Sequence, residues 1–319
     1  MKKVFITRII PEPGLNYLRQ KGFKIELYSE DRTIPRKQLL AGIKDADAVI
    51  SLLTDKFDRE AIDKMNNCQI IANHAVGFNN IDIDYAKEKK IIVTNTPEVL
   101  TESTADLTMA LVLSCARRLT EAEKFLRGGK FEGWKPMLLL GIELKDKVFG
   151  IVGAGRIGFE TAKRAKAFGC RIIYFDNEKK ANFEKEFSAR RVSLNSLMLS
   201  SDIVSVHLPL NKKTHHLINR DKLKLMKKSS IIINTARGEI IDEKALISVL
   251  EKKQIFAAGL DVFEKEPNVN KKLLKLENVV LLPHIGSATI EARNRMSLLA
   301  AKNVAAVLSG NKPLTPVYN

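Results

Sequence analysis

The chain has 319 residues, 45% hydrophobic and 28% charged, with 17 Gly and 10 Pro, a composition that excludes a disordered or low-complexity chain and suggests two domains. Lys and Arg (53) outnumber Asp and Glu (37) for a formal charge of +16. The basic groups, such as Lys222, Lys224, Lys227 and Lys228, are short, Lys-rich and mixed with apolar residues at helical spacing. No stretch interleaves Arg with aromatics, so the charge reads as solvated surface that can steer anions, not as a nucleic-acid platform.

The chain opens Met1-Lys2-Lys3, basic and then apolar, but Thr7 and Arg8 break the apolar run, which reads as a first buried strand and not a leader. Four further β-type runs follow at Lys24–Tyr28, Ala48–Leu52, Gln69–Ala72 and Ile91–Thr94. They alternate with amphipathic stretches at Gly14–Lys21, Arg36–Ile43, Arg59–Met65 and Ile83–Lys89, as βα units around a parallel sheet would. After Asn95-Thr96-Pro97 a longer helix is expected, with Ser103 and Asp106 placed like a capping box. Its body, Leu107–Ala116, is apolar almost all round and so must be buried on several sides, either within one chain or with one side against a second subunit. Interrupted by Thr108 and Ser114, it is too short to span a membrane.

The second half repeats the alternation. Strands are expected at Val148–Val152, Arg171–Phe175, Ile203–His207, Ile231–Asn234, Phe256–Leu260 and Val279–Leu282, with helices around Ile157–Phe168, Leu194–Leu199 and Glu243–Lys252. A last helix, Ile290–Leu308, returns to the first domain. The expected fold is α/β in two domains: a Rossmann-type doubly wound NAD-binding domain (99–286) inserted into a flavodoxin-like substrate domain (1–98 and 287–319). Cys68, Cys115 and Cys170 are too few and too scattered for a zinc site or a disulfide framework, which points to the cytoplasm.

Gly153-Ala154-Gly155-Arg156-Ile157-Gly158 matches G-x-G-x-x-G directly after an apolar strand and at the opening of a helical pattern. Gly153 permits the tight turn, Gly155 lets the backbone approach a pyrophosphate, and Gly158 lets helix and strand pack closely. Asp176 ends the next strand roughly 20 residues on, where a carboxylate binds the adenosine ribose hydroxyls. Its charge favours NAD(H) and disfavours NADP(H).

Ligands of an open α/β sheet bind beyond the carboxyl ends of its strands, and three reactive residues follow strands here. Arg237 comes after Ile231–Asn234, Glu266 after Phe256–Leu260, and His284 after Val279–Leu282. Together they suit hydride transfer to a 2-oxo acid. Arg237 can grip the carboxylate and polarise the carbonyl, and His284 can pass a proton to the carbonyl oxygen. Glu266 would orient the imidazole and favour its protonated form. His215 and His216 have no acidic or Cys cluster around them and read as exposed loop residues, so no metal is expected.

The glycine turn, Thr235-Ala236-Arg237-Gly238, the segment from Asp261 to Glu266-Pro267, and Pro283-His284-Ile285-Gly286 resemble the D-isomer-specific 2-hydroxyacid dehydrogenase family over nearly the whole chain. The resemblance implies that Arg237, Glu266 and His284 are catalytic and that Asp261 contacts the nicotinamide amide. It places Arg156 and Ile157 at the pyrophosphate, and His207, Leu208, Pro209, Thr214, Thr235, Ala236, Gly286 and Thr104 around the cofactor. Val76 and Gly77 resemble the loop whose amides take the substrate carboxylate. The run from Val99 to Leu107, Ala116-Arg117-Arg118 and Gly133-Trp134-Lys135-Pro136 look like the glyoxylate/hydroxypyruvate reductase branch, which implies a homodimer with Trp134 at the substrate pocket. Asp176-Asn177 departs from NADPH-using members of that branch. The expected partner is a small 2-oxo or 2-hydroxy acid, with neither nucleic acid nor membrane. The alternatives are a D-3-phosphoglycerate or D-lactate type dehydrogenase, or an NAD-sensing scaffold on the same fold.

Overall fold

In the computed structural model, which describes residues 1–318, the chain builds two parallel sheets. The first contains β1 (Lys3–Ile6), β2 (Lys24–Leu27), β3 (Ala48–Ser51), β4 (Ile70–Asn73) and β5 (Ile92–Thr94). The second contains β6 (Val148–Val152), β7 (Arg171–Phe175), β8 (Arg190–Arg191), β9 (Ile203–Val206), β10 (Ile231–Asn234), β11 (Ala257–Leu260) and β12 (Val279–Leu281). Every strand pair in both sheets is parallel.

Central strands such as β3 and β10 are buried along their whole length. A parallel sheet covered by helices on both faces demands such unbroken apolar runs. Ile231 and Ile233 pack into one core and Ile232 into the core on the opposite face, as the two-residue strand period requires. Edge strands differ: β2 alternates exposed and half-buried residues, and both arginines of β8 are exposed. Charge on an edge discourages pairing with another sheet.

The first sheet runs β2-β1-β3-β4-β5, the flavodoxin-like order. The second runs β12-β11-β10-β9-β6-β7-β8, so the chain winds outward in both directions from β6. The switch lies between β6 and β9, where a doubly wound sheet holds its ligand. The two sheets lie in separate compact units, one of Met1–Leu100 with the chain from Ser287 onward, the other of Thr101–Gly286.

In the first unit the helix Ile290–Leu308 packs on the helix Glu12–Gln20 and on β3 and β4. Close approach is possible because position 14 is glycine: a Cβ there would run into the backbone of Ser297. Ser297 Oγ instead accepts the Gly14 amide at 3.0 Å. In the second unit the helix Thr101–Ala116 lies on β10 and β11 and against the helix Arg156–Ala167.

The helix Thr101–Ala116 corrects one expectation. It starts at Thr101, so Ser103 is already inside it and forms no capping box with Asp106. Asp106 is drawn to Arg164, whose guanidinium also meets Glu102 and Glu160. Its exposed positions are Glu102, Asp106 and Ala110, none of them a large apolar residue. The exposed apolar side chains come later, on the unforeseen helix Leu119–Arg127 and the segment after it. A short helix at Ala181–Phe187 was also unforeseen, and several other element ends move by one or two residues. Among the described residues no helix is long and apolar enough to cross a membrane.

Candidate active site

At the switch point β6 is followed by Gly153, whose φ of +101° suits glycine. A Cβ here would press on the His207 and Leu208 backbone, and one on Gly158 would strike the Gly153 carbonyl. Gly155 is different: a Cβ there would meet nothing within 4 Å. Two of the glycines therefore close the turn on itself, and the third leaves open space before the helix Arg156–Ala167, which no side chain caps. An uncapped helix N-terminus behind a bare glycine suits a phosphate.

Asp176 follows β7. Its Oδ2 accepts the Ala154 amide at 2.9 Å and its Oδ1 the Glu178 amide at 3.2 Å. The carboxylate is thereby fixed beside the glycine turn, with lone pairs left for ribose hydroxyls. Arg191 holds the same corner by donating to the carbonyls of Asp176 and Asn177. The residues present fit a dinucleotide.

On the other side of the switch, His207 Nε2 lies 2.8 Å from Ser205 Oγ, and burial pushes its imidazole down to about 3. Leu208 is buried, and Thr214 Oγ donates to the Pro209 carbonyl at 2.7 Å and accepts the Asn211 amide, which shapes that loop. Thr235 and Thr108 meet through their hydroxyls at 2.9 Å, and Thr104 Oγ donates to the Gly286 carbonyl at 3.2 Å. Thr235 and Gly286 thus rest on one face of the helix Thr101–Ala116.

Arg237 leaves β10 in extended backbone, with its NH1 donating to the Ala236 carbonyl at 2.7 Å. Asn234 sets the turn: its Oδ1 accepts the Ala236 amide and its Nδ2 donates to the Arg237 carbonyl. Burial lowers the guanidinium from its ordinary value, opposed by the charges of Glu266 and Glu239. The half-buried fork has donors beyond the one given to Ala236 with which to take an anion.

His284 Nδ1 stands 2.7 Å from Glu266 Oε2. Burial alone would raise the Glu266 carboxyl, but the hydrogen bond and charge of His284, with the Phe263 amide and Arg237, hold it below the usual range. With Nδ1 committed to a carboxylate, Nε2 is the nitrogen left to exchange a proton. His284 itself has φ +56°, a left-handed backbone uncommon for a side chain of this size. Asp261 sustains it by accepting the Ile285 amide at 2.7 Å and the Gly286 amide at 2.8 Å. Burial raises the Asp261 carboxyl against those two bonds.

The second unit therefore brings Arg237, Glu266, His284 and Asp261 to the carboxyl ends of β10–β12, beside the glycine turn. Trp134 stands apart, 84% exposed. Val76 and Gly77 belong to the first unit, just beyond β4. His216, expected to be an exposed loop residue, is half-buried and paired with Glu264 at 2.7 Å. No group of His, Cys, Asp and Glu among the described residues could hold a metal. Asn234, Thr108 and the amide-holding role of Asp261 were not foreseen. The one available signal was an Asn closing a strand just before a reactive turn.

Residues 109–286 match the family model for the NAD-binding domain of D-isomer specific 2-hydroxyacid dehydrogenases. A glyoxylate reductase of Thermococcus litoralis is 49% identical over 98% of this chain and 95% of its own length. The crystal structure of a glyoxylate reductase from Paecilomyes thermophila superposes with a TM-score of 0.89 at 32% identity, covering 99% of this chain and 98% of that one. An NADPH-dependent glyoxylate/hydroxypyruvate reductase from Sinorhizobium meliloti, solved with NADP and malonate, gives 0.86 at 32% identity, over 99% and 97% of the two chains.

Proposed function

The chain belongs to the D-isomer-specific 2-hydroxyacid dehydrogenase family, and from that premise we propose that it reduces glyoxylate and hydroxypyruvate to D-2-hydroxy acids with NADH. The observation that carries the reading is the His284–Glu266 pair, 2.7 Å apart, on the same strand-end edge as Arg237 and the glycine turn.

Arg237 takes the substrate carboxylate and polarises the 2-oxo group with its remaining donors. His284 gives its Nε2 proton to the carbonyl oxygen as charge develops there, and in the reverse direction removes it. Glu266 keeps the ring in the tautomer that exposes Nε2 and stabilises the imidazolium that oxidation creates. NADH, when bound along Gly153–Gly158 and Asp176, supplies the hydride. Asp261 positions His284 through the Ile285 and Gly286 amides, and can also meet the nicotinamide amide. Val76 and Gly77 offer backbone amides to the carboxylate.

Asp176 supports NADH over NADPH, because a fixed carboxylate repels a 2′-phosphate. That separates this chain from the Sinorhizobium enzyme in cofactor while keeping its chemistry. The units act as substrate domain (1–98 and 287–319) and NAD-binding domain (99–286). The protein works as a homodimer in the cytoplasm, where its three buried thiols stay reduced.

The test is loss of NADH absorbance with glyoxylate, hydroxypyruvate, pyruvate, oxaloacetate and phosphohydroxypyruvate, repeated with NADPH. Fast turnover of the first two is expected. Preference for pyruvate or phosphohydroxypyruvate moves the substrate and leaves the residue roles standing. Tight NADH binding with no turnover at all defeats the enzyme reading in favour of a sensing scaffold.

A further inference from the structure

We infer that Asn73 and Asn95 are positioning residues that shape the backbone of residues 75–78 into an all-amide receptor for the substrate carboxylate. The inference rests on the 2-oxo acid reading above and goes beyond it by assigning what builds the receptor.

Three successive carbonyls of this loop are tied down. Ala75 O accepts the Thr96 amide at 2.8 Å, Val76 O accepts Asn95 Nδ2 at 2.8 Å, and Gly77 O accepts Asn73 Nδ2 at 2.8 Å. In a planar trans peptide the N–H points opposite to the C=O of the same unit. Fixing these carbonyls therefore fixes the amides of Val76, Gly77 and Phe78, each turned away from its anchor. Those three amides donate to no group among the described residues. Val76 and Gly77 are half-buried and Phe78 lies at the surface, so their open backbone donors can meet an acceptor from outside, and consecutive amides suit an anion.

The anchors are themselves locked. Asn73 is fully buried, and its Oδ1 accepts Ser51 Oγ at 2.9 Å, so its amide cannot flip without losing both bonds. Asn95 is held through its backbone: its carbonyl accepts Thr315 Oγ at 2.6 Å and its amide donates to the Thr315 carbonyl. Each asparagine must be neutral and must donate. An aspartate in either place would set a carboxylate against a carbonyl and turn the peptide.

That chemistry supplies the experiment, Asn95→Asp. At pH 8 the KM for glyoxylate and the inhibition constant of oxalate should rise about tenfold, roughly the worth of one hydrogen bond to a charged or desolvated group. NADH affinity, read by fluorescence, should stay near wild type. As the pH falls towards 5 the new carboxyl takes up a proton, regains a donor, and the ratio of variant to wild-type KM should fall back. A residue that merely fills space would show no such pH-dependent rescue. Asn95→Ala serves as the second variant: KM should rise with no rescue at any pH. Wild-type KM and oxalate binding in both variants would overturn the inference while leaving the proposed reaction intact. A wild-type protein that reduces no 2-oxo acid and binds no oxalate would overturn both.

Discussion

Glu266 and His284 meet at 2.7 Å, yet each is held by a different part of the loop structure. Glu266 uses its second oxygen to accept the Phe263 amide at 3.0 Å, which fixes the carboxylate within its own turn. His284 is held through the two peptides after it, both donated to Asp261. A ring oriented by one carboxylate and a left-handed backbone secured by another leaves the imidazole few alternatives. Such preorganisation is what an acid–base group needs before substrate arrives.

If the pair acts as a unit, its substitutions will not add. His284→Ala should lower kcat with glyoxylate by about 100- to 10,000-fold, the usual range for a proton donor, with NADH binding little changed. Glu266→Gln should lower it less, because the ring keeps a partner but loses the charge. The double variant should be no worse than His284→Ala alone. Steady-state rates on the four proteins test this, and full additivity would mean that the two residues act independently.

Asp176 offers a sharper test of cofactor choice than removal of the side chain would. Asp176→Asn can still accept the Ala154 amide, so the glycine turn keeps its shape while the charge disappears. The ratio of kcat/KM for NADPH to that for NADH should rise by about tenfold or more, since hydrogen bonds to a charged partner are worth about 1.5–3 kcal/mol. An unchanged ratio would place the ribose contact elsewhere.

Much of the fold was legible because the strands are buried on both faces. Ile-Ile-Ile-Asn or Ala-Val-Ile-Ser can hardly be anything but central parallel strands. The proximity of His284 and Glu266 could be anticipated because each residue follows a strand at the same edge of one sheet. The helix Leu119–Arg127 was missed because it buries none of its residues and so carries no core signature. Ser103 misled because a Ser with Asp three residues on mimics a capping box, while the apolar burial that starts the helix begins at the turn before it. The Asn73–Asn95 arrangement was hidden for another reason. The two residues are far apart in sequence and converge only because β4 and β5 are neighbours.

His74 predicts how the protein responds to acid. It is buried in the first unit, and burial, reinforced by the charge of Arg293, pushes its imidazole down to about 4. The unfolded chain protonates this histidine near pH 6.5, so between there and pH 4 the unfolded state binds the extra proton. Stability is therefore full above about pH 6.5 and falls as the pH drops, by up to about 3 kcal/mol from this group. Urea midpoints at pH 7 and pH 5 should differ clearly in the wild type and less in His74→Leu. Equal differences in both proteins would show that another group carries the acid sensitivity.

Trp134 is the only tryptophan in the chain, and it reports on assembly. In the isolated chain it is 84% exposed, and Leu119, Leu126, Phe131, Met137 and Leu140 on the same stretch of sequence are exposed as well. That much apolar side chain on one segment is unusual for a surface that stays in water. The preceding helix does not share the pattern, since its exposed positions are polar or small. If this arm docks on a second copy, Trp134 leaves water, and its emission should shift to the blue as protein concentration rises through the dimer dissociation constant. Leu126→Glu should hold the emission at the position of solvated tryptophan and keep the protein monomeric in sedimentation, without shifting the melting transition of the dilute chain. A single, solvent-like emission maximum at every concentration, with a monomer mass throughout, would remove the dimer. It would also remove any part for Trp134 in a pocket shared between copies, and leave the apolar arm without a partner of its own kind.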